Sequence, residues 1–280
     1  MSLPLLGALL ALCSALFYGS SDFTGGFAAR RGSPFFVLLI SSLVSILLSG
    51  VSILLRAEPC MPLHDWLWSV LAGILGAFGV VILYYGLARN SSAVVAPASG
   101  LVGAALPALV GSLLEGLPGV GTLLGFLLAL VGIWVVSNPQ GGMAIKLNGG
   151  LKYGVLSGLG AGAYYIFISR VNDAFIFFPL LVINLTSLLT AALILFVRKT
   201  PAARMHFNRL AVLIGFLSFG GNLAYLLALQ MTRMDIAAVL SSLFPAATVL
   251  LSVLILKERI SARQWLGVII CLAAIVLIVL

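Results

Sequence analysis

The chain is 280 residues long, 62% hydrophobic and only 8% charged; an ordinary soluble domain is about a quarter charged. A soluble fold of this size could not hide so much apolar surface, so composition excludes a water-soluble domain and points to repeated membrane spans. The formal charge of +8 does not mark a nucleic-acid binder, because the basic residues sit in short stretches between apolar runs, where they set topology.

Read from the N-terminus, the uncharged runs predict ten helices, each near the roughly 20 residues that cross a hydrocarbon core. The first five cover residues 3–28, 34–55, 66–88, 93–114 and 120–136. The chain opens Met1-Ser2-Leu3-Pro4, with no basic stretch ahead of the first run and no small-residue cleavage motif after it. That run is expected to be a retained span rather than a signal peptide. Asn, Pro, Gln and Gly mark residues 138–148, which read as a cytoplasmic linker between a first unit, 1–137, and a second, 149–280. The remaining spans are predicted at 149–169, 175–197, 210–230, 236–256 and 265–280. Gly154, Gly158 and Gly162 form a small-residue ridge in the sixth; such ridges let helices approach closely in lipid, so they predict bundling and nothing about activity.

Twelve of the 15 Lys and Arg residues fall in odd-numbered connections; only Arg56, Arg170 and Arg233 fall in even ones. The positive-inside rule then puts the odd connections in the cytoplasm and both termini on the non-cytoplasmic side of a cell (plasma or inner) membrane.

The two halves look alike. Tyr85-Gly86-Leu87-Ala88 in the third span echoes Tyr225-Leu226-Leu227-Ala228 in the eighth. Each is followed by a short loop and a long apolar helix ending in an acid, Glu115 in one copy and Glu258 in the other, and then by a last span. The repeating unit is five helices, and an odd number of crossings makes the second copy enter the membrane from the opposite side. The fold class expected is all-α integral membrane, with ten transmembrane helices as two inverted five-helix repeats, an arrangement typical of alternating-access transporters.

These features resemble the EamA family of drug/metabolite transporters. The resemblance rests on the acid-terminated helix, the Tyr-x-x-Ala near the end of the helix before it, and the opening Ala15-Leu16-Phe17-Tyr18-Gly19-Ser20-Ser21-Asp22-Phe23. It covers nearly the whole chain as two copies, and implies a central cavity lined mainly by the first, third, fourth, sixth, eighth and ninth helices. The second copy matches better, with Ser241-Ser242-Leu243-Phe244-Pro245 and the Leu256-Lys257-Glu258-Arg259 end. In the first copy the position matching Pro245 is Val102, and Pro107 lies further along, so the fourth helix is expected to bend elsewhere than the ninth.

Of seven acids only Asp22 falls inside a span. It precedes Arg30 by eight residues, about 12 Å along a continuous helix. An ionised carboxylate there costs about 2.5–3.5 kcal/mol on insertion scales, so it is expected to face a cavity, where it could bind a substrate amine or take and release a proton. The competing possibility is that the first helix stops near Gly19 and Ser20-Ser21-Asp22 caps a short interfacial helix, with Gly25-Gly26 permitting the break. Asn222 and Tyr225 share a face of the eighth helix, and Phe78 and Tyr85 share one of the third. With Ser21, Asp22 and Tyr164 these make the candidate substrate-binding set. Tyr84 and Tyr165 neighbour Tyr85 and Tyr164 on other faces, so at most one of each pair is expected to line the cavity. Asn184, in a helix peripheral in the family, is read as packing, and Glu115 and Glu258 as helix-end or gate residues.

No nucleotide-binding loop, zinc-protease helix or serine-hydrolase elbow is present in the sequence. Cys13, Cys60 and Cys271 have no metal-ligand spacing, and His64 and His206 lie in loops, so neither a metal nor another cofactor is expected. The function expected is secondary transport of a small metabolite or amphiphilic compound, as an exporter and with Asp22 as the proton-coupling candidate; an uncoupled facilitator is the alternative. A membrane enzyme acting on lipid-linked substrates would need paired acids or a buried base, which the spans lack. Partners expected are a small-molecule substrate and membrane lipid, not nucleic acid, with the chain a monomer or weak homo-oligomer.

Overall fold

A computed structural model describes residues 3–30, 32–115, 120–137, 149–197, 209–232 and 234–279. The linker 138–148 and the side chain of Glu115 lie outside this description. All regular structure among the described residues is helical. The first half supplies α1 (Leu3–Ala29), α2 (Pro34–Arg56), α3 (Leu63–Arg89), α4 (Ser92–Glu115) and α5 (Val120–Ser137). The second supplies α6 (Gly149–Ile168), α7 (Phe177–Val197), α8 (Arg209–Leu229), α9 (Met234–Ser241), α10 (Phe244–Leu256) and α11 (Ala262–Val279). Five of these, α1, α2, α3, α7 and α8, are long and apolar enough to cross a membrane by length and composition, and shorter apolar helices accompany them. Large side chains on the outside of the bundle are apolar, among them Leu47, Leu55 and Phe196, as contact with lipid requires.

The predicted ninth span is two helices, which corrects the continuous helix read over 236–256. The break falls at Ser242 and Leu243, whose N–H groups reach back to Ala238 O (2.9 Å) and Leu240 O (3.2 Å). Pro245, in the first turn of α10, supplies the cause: it has no N–H to bond back to the carbonyl of Ser241 four residues earlier, and its ring would clash with that carbonyl, so the ladder cannot run on. In contrast α4 is uninterrupted at Pro97 and Pro107.

The most extensive helix pairings cross between the halves: α1 with α8, α2 with α7, α3 and α4 with α6, and α5 with α11. The glycine ridge of α6 explains one of them. A Cβ at Gly158 would lie 2.6 Å from Ser99 O and 2.7 Å from Val102 Cβ, so only glycine lets α4 come this close. The two halves therefore share one interior, and the cavity lies along their seam.

Candidate functional site

A cavity of about 130 Å³ opens between the halves, far above the roughly 10–15 Å³ that admits one water. Its walls come from α1, α2, α3, α6, α7 and α8, with Ser99 of α4 and Phe244 at the start of α10. The contributions of α2 and α7, through Ser41, Ser42, Ser45, Asn184 and Ser187, widen the helix set that the family resemblance implied.

α1 runs unbroken through Gly19, Gly25 and Gly26, which overturns the possibility of a helix stop near Gly19. Asp22 is thus an intrahelical residue, buried and facing the cavity, and the only Asp, Glu, Lys, Arg or His among the lining residues. It takes no hydrogen bond and no ion pair among the described residues. One turn further on, Gly25 gives way to the ring of Tyr84, which a Cβ there would strike; Tyr84 is thereby brought to the cavity wall beside Asp22.

A polar network ties α1, α6 and α8. Tyr18 donates its hydroxyl to Asn222 Oδ1 at 2.7 Å, and Tyr164 donates to the same oxygen at 2.8 Å. With Oδ1 doubly engaged, the amide orientation is set by the network, and the two Nδ2 hydrogens remain as donors. The hydroxyls of Ser21 and Ser218 meet at 2.8 Å. Most of the other lining serines donate to backbone carbonyls, as Ser45 does to Gly215 O (3.0 Å) and Ser187 to Gly73 O (3.3 Å). Ser99 has a buried hydroxyl with no partner among the described residues. The apolar remainder includes Leu38, Val80, Leu83, Ile183 and Phe244. The arrangement offers one carboxylate, an amide donor and aromatic and aliphatic surface, which suits a small amphiphilic solute.

Of the substrate-binding candidates, the structure brings Ser21, Asp22, Tyr164 and Asn222 together at this cavity. It does not bring Phe78, Tyr85 or Tyr225. Phe78 is 45% exposed on the outside of α3. Tyr85 lies edge-on to Phe35 (6.4 Å) with the Arg89 guanidinium 4.4 Å over its ring. Tyr225 is fully buried behind the wall, 4.8 Å from the Tyr165 ring centre, its hydroxyl without a partner among the described residues. The rule of one tyrosine per pair holds for Tyr84 and Tyr85 but fails for Tyr164 and Tyr165, which both line the cavity. Asn184, read as packing, also lines it while donating to Leu180 O at 2.8 Å. Tyr18 and the α2 serines also line the cavity; Ser41, Ser42 and Ser45, three hydroxyls in an otherwise apolar helix, are the sequence signal for the latter.

Glu258 sits at a helix end, as a cap rather than an ion pair. Its two oxygens accept the N–H (2.9 Å) and hydroxyl (2.8 Å) of Ser92 at the start of α4. Glu58 makes a similar bond across the halves, accepting N–H groups of Ile176, Phe177 and Phe178 at the start of α7. Among the described residues no group of three His, Cys, Asp or Glu could hold a metal ion.

No curated protein matches the sequence. A protein of known crystal structure matches the fold with a TM-score of 0.66 at 15% identity, covering 97% of this chain and 96% of that one. The model of the EamA-like transporter family matches twice, over residues 5–138 and 148–280, which together span nearly the whole chain. The chain belongs to the EamA-like transporter family, within the drug/metabolite transporter superfamily.

Proposed function

We propose that this membrane protein is a secondary transporter that exports a small amphiphilic metabolite by alternating access. Ten spans, arranged as two inverted five-helix halves, rock about the seam between them and expose the cavity to one side and then the other. The observation that carries this reading is the position of Asp22. It is the one acidic or basic side chain among the described residues of the cavity wall, at the junction of the halves, with no ion-pair partner among the described residues. A carboxylate left unpaired in a membrane interior has a use when it receives a proton or an ammonium group from outside.

Coupling to protons is the version favoured, because the cavity holds no second charged group to take that part. Ser21, Tyr84, Tyr164, Tyr165 and Asn222 shape the pocket around it. Thermal stabilisation of the purified protein across a metabolite panel identifies a ligand; proteoliposomes carrying an imposed pH gradient then test coupling. Asp22→Asn is expected to lose gradient-driven accumulation while retaining exchange of the same ligand. Accumulation equal to wild type would refute the assignment of Asp22.

A further inference from the structure

Three parts of the chain converge at the end of the bundle where α3 turns into α4 and α10 into α11. Leu87 of α3, Tyr153 of α6, Ile260 of the α10–α11 connection and Trp265 of α11 belong to one apolar cluster. Ile260 also joins Ala93 and Val94 of α4 and Leu151 of α6 in a second. These contacts bring Arg89, Lys152, Lys257 and Arg259 to one stretch of surface, all four exposed. None of the four makes an ion pair among the described residues.

Glu258, the acid between Lys257 and Arg259, is already committed, since Ser92 engages both its oxygens. Lys257 adopts a left-handed backbone (φ 53°), an uncommon conformation for a side-chain-bearing residue. The chain turns there so that Glu258 reaches α4 while Lys257 and Arg259 stay exposed on either side of it. The Tyr85 ring holds the face of the Arg89 guanidinium at 4.4 Å and leaves its N–H edges for an anion. Beside the patch, Leu254 and Ile255 of α10 and Leu266 and Ile269 of α11 are exposed, the kind of surface on which acyl chains lie.

We propose that this patch binds the phosphate headgroup of an anionic phospholipid. The cations supply the headgroup contacts and the flanking apolar residues take the chains, which is why a lipid fits better than a free phosphate. The test uses the full chain in nanodiscs of pure phosphatidylcholine or with increasing phosphatidylglycerol, read by thermal unfolding. Phosphatidylglycerol is expected to raise the wild-type Tm, and the rise should shrink near 1 M salt, where the screening length falls to about 3 Å. The double variant Lys152→Gln/Arg259→Gln, with its own phosphatidylcholine Tm as baseline, should need about fivefold more phosphatidylglycerol per residue removed for the same rise. The control Arg30→Gln/Arg209→Gln, at other odd-numbered connections, should leave the requirement nearly unchanged. Equal losses in both double variants would mean diffuse attraction and overturn the site. So would a full Tm rise with glycerol phosphate in phosphatidylcholine discs, or no response of the wild type to phosphatidylglycerol.

Discussion

Asn222 Oδ1 accepts two tyrosine hydroxyls at once, and the same atom therefore sets the wall positions of Tyr18 and Tyr164. Replacing Asn222 with Leu would orphan both hydroxyls, at about 1–3 kcal/mol for each that stays buried and unpaired. Asn222→Asp keeps an acceptor for them and should melt closer to wild type than Asn222→Leu; equal melting of the two variants would mean that the tyrosines find other partners. A second single-residue effect concerns Ala57, which ends α2 in the left-handed region (φ 50°) and is exposed. Ala57→Gly should stabilise the protein by about 1 kcal/mol, since glycine adopts that conformation without a Cβ clash. A higher Tm in detergent would show it. At this scale the sequence identified Asp22 through cost alone, because a carboxylate amid apolar residues needs a reason to be there. It misplaced α3 by one position. Phe78 and Tyr85 share a face, and so do Ala77 and Tyr84; the second face meets the cavity. Both faces are apolar, so no polar stripe told them apart.

Helix ends and close approaches decide how the elements are held. Gly158 lies against Ser99 O and Val102 Cβ, so a large side chain there must push α4 from α6. Gly158→Leu is expected to cost at least the roughly 1–3 kcal/mol typical of overpacking, read as a lower Tm. An unchanged Tm would mean that the two helices separate freely. Glu258 gives a contrasting case. As a cap on Ser92 it needs an acceptor more than a charge, so Glu258→Gln should transport nearly as well as wild type while Glu258→Ala loses about 1 kcal/mol of stability. Flux abolished by Glu258→Gln in a protein of normal Tm would instead make it a gate. Most helix limits were legible because charge, Pro and Gly punctuate the apolar runs. The split of the ninth run was not: Ser241 and Ser242 continue its pattern, and the effect of Pro245 on the preceding turn depends on α1 and α4 packing there. Gly19 and Gly100 make room for it, with Phe244 O 2.5 Å and Ser242 O 2.8 Å from the Cβ atoms they lack.

For the molecule as a whole, the distribution of charge carries what hydropathy cannot. The spans would be equally apolar in either orientation, but in the proposed ten-span arrangement twelve of the 15 basic residues lie in odd-numbered connections. Each Lys or Arg near an anionic leaflet gains about 1 kcal/mol, so nine more cations on one side than on the other make a large bias for retaining that side in the cytoplasm. The two-unit organisation was legible for a related reason: the copies repeat Tyr-x-x-Ala and the acid after the next helix, and the family model matches each separately. Their interlocking was not legible, since the pairing of α1 with α8 and α2 with α7 arises only when the units fold against each other. Orientation and interlocking together make a prediction about the termini. A reporter fused after Leu280 that is active only outside the cytoplasm should be active, and one inserted in the linker at 138–148 that is active only inside should be active in the same cells. Activity of a cytoplasm-only reporter after Leu280 would reverse the bundle. It would also move Arg89, Lys152, Lys257 and Arg259 to the outer surface, away from the anionic inner leaflet, so the same pair of fusions bears on topology and on the lipid site at once.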